Sequence, residues 1–188
     1  MKKYLIDTNA FWEILCNLAG IQLTGRKFDI DKIRGGECFI SEITRIEIMS
    51  VMGKYARGDQ AGWQLCNRII KEDGTRCKEK YYKTGHKKWK NKQVTAMRKL
   101  VMDILSGRSS LFQIHVLSIS EEVIAEAEKF IHYAFKYKFA SLDALIAGTA
   151  IAYDKDNFII VTHDGSFRRA LLDEGIHIME EEKAAVVS

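Results

Sequence analysis

The sequence predicts one α/β domain. It would have a mostly parallel sheet of about five strands, helices on both faces, and a basic, helical insertion at about 58–110. Three observations support this. Short apolar runs alternate with amphipathic ones along 188 residues, a length that suits one domain with a normal core. Asp7 follows the run Tyr4-Leu5-Ile6 directly and Asp164 closely follows Ile159-Ile160-Val161, at the carboxyl strand ends where such sheets bind ligands. Proline is absent, so helices run without their strongest interrupter.

Tyr4-Leu5-Ile6 reads as the first strand, and a helix over 10–19 ends near Gly20. Residues 21–36, with Gly25 and Gly35-Gly36, read as a loop with a short helix. Cys38-Phe39-Ile40 is the second strand. Ser41 then caps a helix that runs to Arg57 and breaks at Gly58-Asp59. Segments 61–71 and 91–105 look helical, and 112–117 reads as the third strand. Ser118-Ile119-Ser120-Glu121 is a capping-box pattern. The helix it opens carries Val123, Ile124, Ala127, Phe130, Ile131, Ala134 and Phe135 at core-facing spacing. Ser141 is expected to cap a helix that is apolar on nearly every side through Ala152, a central position. Phe158 to Val161 is a strand buried on both faces. Residues 166–173 form a short helix, Gly175 a break, 176–179 a fifth strand, and the tail from Glu180 is expected to fray.

Charge is unevenly placed. Residues 68–99 hold 12 Lys or Arg against 3 Asp or Glu, whereas the whole chain carries +4. A basic segment on an acidic body points to a polyanion partner. The cysteines at 16, 38, 66 and 77 have no close paired spacing, which argues for free thiols rather than a disulfide framework or a zinc ribbon. The opening Met1-Lys2-Lys3-Tyr4-Leu5-Ile6 is interrupted by Asp7 before any signal-peptide core forms, and no run reaches transmembrane length. A soluble, cytoplasmic protein without membrane contact is expected.

Asp7, Glu47, Asp143 and Asp164 are the candidate site. Glu47 lies about two turns into its helix, on a face with Ile43, Thr44 and Val51; Asp143 lies in a first helical turn, where the macrodipole favours an anion. Each is bordered by residues expected to be buried. Burying several unpaired carboxylates costs several kcal/mol, and a hard divalent cation removes that cost because it prefers oxygen ligands. Oxygen-only donors suit Mg²⁺ or Mn²⁺, and a metal so held activates water and stabilises charge on an attacked phosphodiester. Asn9 is placed to orient Asp7. His163 is expected to be a partly exposed turn residue, and Arg168 is a candidate phosphate contact.

Four local sequences together resemble the PIN-domain nucleases, closest to the VapC-type toxins of toxin–antitoxin pairs. They are Leu5-Ile6-Asp7-Thr8-Asn9, Ile40-Ser41 through Thr44 to Glu47, Leu142-Asp143-Ala144-Leu145-Ile146-Ala147 with Thr149-Ala150, and Ile160-Val161-Thr162-His163-Asp164 with Phe167. The resemblance covers the first 57 residues and about the last 75. It implies an α/β/α sandwich that cuts RNA with Mg²⁺ or Mn²⁺, with Asp7, Glu47, Asp143 and Asp164 as the acidic catalytic and metal-binding residues. Thr8, Asn9 and Thr162 match polar positions near the metal. It also implies a cognate antitoxin covering the acidic crevice, and a homodimer is a further expectation. Segment 58–110 departs from the family by its length and matches no known motif. Its Lys87, Lys88 and Lys90, with Trp89 among them, are expected to hold RNA.

Two other classes share part of this pattern. A haloacid-dehalogenase-like phosphatase needs a second acid two residues after the first, where this chain has Asn9; Asp29-Ile30-Asp31 has that spacing but no apolar strand before it. A non-catalytic RNA-binding protein on a PIN fold would have no need of all four acids.

Overall fold

A computed structural model describes residues 1–21, 28–58, 62–66, 74–75, 77–83, 85 and 88–180. In chain order the elements are β1 (Lys3–Ile6), α1 (Thr8–Leu18), β2 (Glu37–Ser41), α2 (Glu42–Arg57), β3 (Gly62–Leu65), β4 (Lys80–Lys83), α3 (Asn91–Leu105), β5 (His115–Leu117), α4 (Glu121–Phe130), α5 (Ser141–Asp154), β6 (Phe158–Val161), α6 (Gly165–Asp173) and β7 (His177–Ile178), with 3-10 turns at Ile30–Lys32 and Ile131–Phe135. The main sheet has the order β5-β2-β1-β6-β7, and every pairing in it is parallel.

Strand alternation builds two cores. Tyr4 and Ile6 of β1, Cys38 and Ile40 of β2, and Val161 of β6 point to a cluster with α1, α2 and α3. Leu5, Phe158 and Ile160 point to the other, with α4, α5 and α6. The outcome is a three-layer α/β/α sandwich with β1 at its centre. On one face Gly148 lets α5 approach α4. A Cβ there would lie 2.6 Å from the Val123 carbonyl oxygen and 2.7 Å from the Ala127 nitrogen.

Several local expectations are corrected. Residues 62–65 are not helical: Trp63 and Leu65 flank Gln64 in a period of two, and β3 pairs antiparallel with the tyrosine-bearing β4. The third strand shortens to His115–Leu117. The cap of α4 is Ser120 rather than Ser118, its hydroxyl accepting from the Val123 N–H at 3.3 Å. Beyond Phe130 the helix tightens into a 3-10 turn, which leaves Phe135 exposed. The N-cap of α5 is Ala140, not Ser141. Ser41 does precede α2, but its hydroxyl accepts from Thr149 Oγ1 at 2.9 Å instead of capping. The expected fraying of the tail and the role given to Lys87 fall outside the described residues. All four cysteines are free.

The insertion is clamped at its base. Gly58 ends α2 with φ 74°, and a Cβ there would stand 2.8 Å from that of Lys88. Next to it the Trp89 N–H donates to the Tyr55 carbonyl at 3.0 Å. The Trp89 ring stacks on Trp12 at 5.5 Å and meets Tyr55 at 5.0 Å. Chain leaving at 58 and returning at 88 is thus joined to the body through an aromatic trio.

Gly148→Ala is expected to destabilise the fold by about 1–3 kcal/mol, because backbone rather than a flexible side chain occupies the space. Urea unfolding would show this as a lowered midpoint with an unchanged slope.

Candidate active site

The parallel order sets the carboxyl ends of β1 and β6 side by side. The Asp7 N–H donates to the Val161 carbonyl at 3.0 Å, which carries the ladder one step past β1. Asp7 is also the N-cap of α1: its Oδ1 accepts from the Ala10 N–H at 2.7 Å. Both bonds hold the residue inward, and Asp7 is only 2% exposed. Burial pushes its carboxyl from the ordinary 3.8 up to about 6; the Thr162 hydroxyl and the Ala10 N–H pull it down, Asp143 adds to the rise, and His163 opposes it.

The other three acids arrive from three different helices. Glu47, on α2, accepts from Thr8 Oγ1 at 2.5 Å. Asp143, in the first turn of α5, accepts from the Ala140 N–H at 2.8 Å. Burial raises the Asp143 carboxyl, the Ala140 bond lowers it, and Asp164 and Glu47 raise it again. Asp164 caps α6 through Oδ1, with the Ser166 and Phe167 N–H groups both at 2.8 Å. Asp143 feels Asp164 and Glu47, and Asp7 feels Asp143, so the four form one electrostatic cluster. Among the described residues none of the four is ion-paired to lysine or arginine.

The donor set fits a hard divalent cation: oxygen ligands, uncompensated charge, and Glu47, Asp143 and Asp164 each anchored through a single oxygen. That fit is one of donor chemistry and not of geometry: as the side chains stand, no three acidic, histidine or cysteine residues among the described ones are grouped closely enough to hold a metal ion.

The polar neighbours divide. Thr8 and Thr162 contact Glu47 and Asp7 respectively. Asn9 is exposed and, among the described residues, gives Asp7 no hydrogen bond, because α1 turns its side chain outward. Arg168 donates to the Thr162 and Met179 carbonyls, both at 3.0 Å, and so braces the turn that carries Asp164. Trp89 is packed into the aromatic trio, whereas Lys88 and Lys90 are exposed. Sequence reasoning passed over Glu13, whose carboxylate stands 3.3 Å from His163. It is the only charged residue of α1, and that was the available signal.

No protein-family model and no curated protein matches the chain. Among solved structures, FitAcB from Neisseria gonorrhoeae superposes with a TM-score of 0.53 at 15% identity, over 94% of this chain and 96% of that one. VapBC2 from Rickettsia felis, bound to a DNA fragment from their promoter, gives 0.47 at 14% identity over 94% and 97%. The first likeness is one of fold, and the PIN-like α/β/α architecture expected from the sequence is the architecture of this chain. Among the described residues no helix is long and apolar enough to cross a membrane.

The Asp7 shift has a definite sign. A carboxyl whose folded value, about 6, lies above its ordinary 3.8 contributes stability that is complete below about pH 4 and lost as pH rises through 6. In buffer with chelator the protein is expected to lose about 2 kcal/mol from this group between pH 4 and 7. Asp7→Asn should abolish that part of the pH dependence in denaturant titrations.

Proposed function

We propose that this chain is a metal-dependent endoribonuclease, hydrolysing RNA phosphodiester bonds, and the toxin of a toxin–antitoxin pair. The observation that carries the reading is the uncompensated cluster of Asp7, Glu47, Asp143 and Asp164 at the carboxyl edge of a PIN-like sheet. Clustered, partly buried acids cost stability, and a site that keeps that cost has a use for it. The four would hold Mg²⁺ or Mn²⁺, which supplies an activated water and neutralises charge on the phosphate.

This chain's own residues prepare the site. Asp7 is fixed from both sides by strand ladder and helix cap. Thr8 holds Glu47, and Thr162 ties Asp7 to the backbone of Asp164, whose N–H donates to its hydroxyl at 3.2 Å. Arg168 keeps β6 and the end of β7 in register with that turn. An antitoxin segment would cover the crevice with a basic side chain; arginine suits two carboxylate oxygens at once. Exposed Ile46, Met49 and Met102 on α2 and α3 would offer such a segment a further apolar seat, on a different face of α2 from Glu47.

Asp7→Asn and Asp143→Asn are each expected to lower Mn²⁺-dependent RNA cleavage by more than about a hundredfold, beyond the 10–100-fold typical of losing an outer-sphere partner. Mn²⁺ should also raise the melting temperature of the wild type and not of these variants. Full cleavage by both would refute the reading. Thr8→Ala, which frees Glu47, should cost about 10–100-fold with the fold intact, read as a loss of activity at unchanged melting temperature.

A further inference from the structure

Within the insertion, β3 and β4 form an antiparallel pair with register Trp63↔Tyr82, Gln64↔Tyr81 and Leu65↔Lys80. Alternation sorts its side chains. One face carries Trp63, Leu65, Tyr82 and Lys80, and Lys78 precedes β4 on the same alternation. This face is bare: Trp63 is 69% exposed, Leu65 57% and Tyr82 55%. The Trp63 and Tyr82 rings meet edge-on at 5.6 Å, so the aromatic surface is already shaped. The other face is also open, Tyr81 being 49% exposed, but its polar groups are paired, with Tyr81 Oη donating to Gln64 Oε1 at 3.1 Å.

A bare aromatic strand face invites aggregation unless something covers it. Charge indicates what. Lysines share the face, and the surrounding 68–99 segment is basic by 12 residues to 3. We infer that the Trp63–Tyr82 face of this hairpin is a platform for single-stranded RNA, with unpaired bases stacked on the two rings and Lys78 and Lys80 on the phosphates. Stacking needs bases that are not already paired, which a duplex does not offer. The choice of RNA rests on the ribonuclease reading; the stacking chemistry does not. The stem is rooted at Gly58, about 16 Å along α2 from Glu47. A long strand can therefore use both platform and crevice, and a dinucleotide only the crevice.

The test uses the full chain carrying Asp7→Asn, so that nothing is cut, and a labelled oligouridylate of about 20 nucleotides, longer than one binding site. Trp63→Ala and Tyr82→Ala should each weaken binding about tenfold or more, and Trp63→Phe much less. Lys78→Ala with Lys80→Ala should reduce the salt slope of log affinity by about 1.4. RNA should quench tryptophan fluorescence in the parent and not in Trp63→Phe, because Trp12 and Trp89 are packed into the body. That readout holds even if the alanine variants disorder the hairpin. With Asp7 restored, the alanine variants should raise KM for long RNA and leave dinucleotide cleavage unchanged. Binding needs no cleavage, so failure of the nuclease reading leaves the binding result standing. Parent-like affinity in Trp63→Ala and Tyr82→Ala, or quenching that persists in Trp63→Phe, would overturn the inference. So would tighter binding of a duplex, or Trp63-dependent self-association without RNA binding, which would assign the face to a second copy.

Discussion

Asp7 is buried because two secondary structures claim it at once. Its N–H completes the β1–β6 ladder, and its carboxylate caps α1. Neither claim can be released without opening the sheet edge or fraying the helix. The carboxylate is therefore held in a place that raises its proton affinity, and no lysine or arginine described relieves it. The other three acids are arranged around that fixed charge. Glu47 reaches it from α2 by way of Thr8, Asp143 from α5, and Asp164 from the turn after β6.

What sets those helices in place is packing in two cores. Because β1 is central and its side chains alternate, Tyr4 and Ile6 draw in the first three helices while Leu5 draws in the last three. The position of Asp143 depends on α5, which is held against α4 at Gly148 and against β2 by the Thr149–Ser41 hydrogen bond. Shape, rather than attraction among the acids, brings like charges together. Such an arrangement costs stability, because like charges are held together by the packing around them.

The insertion obeys a different rule. Its base is fastened by stacked rings, with Trp89 turned into the body, whereas Trp63 and Tyr82 on the hairpin stay exposed. The same residue type thus serves as anchor at one end and as open surface at the other. Burial at the neck and alternation along the strands separate the two roles.

Much of the fold was legible in the sequence because its signals are local. Tyr4-Leu5-Ile6, Cys38-Phe39-Ile40 and Phe158 to Val161 are apolar runs of strand length, and 91–105 has a clear helical period; all became the expected elements. The four acids stood out because each follows a strand or sits within a helix among apolar neighbours. The hairpin was not legible. Trp63-Gln64-Leu65 is too short to show its period, and its partner lies 15 or more residues on, across a lysine-rich stretch. The role of Trp89 was likewise decided by Trp12 and Tyr55, which are distant in the chain. The sequence by itself determined the layers and singled out four carboxylates at strand ends and in helices, since periodicity and capping act between near neighbours. Only the tertiary structure decided that Asp7 is buried with a raised proton affinity, that Asn9 points away, and that Thr8 rather than Asn9 does the positioning. Those facts depend on which strand ends lie side by side, a relation between residues more than 100 positions apart.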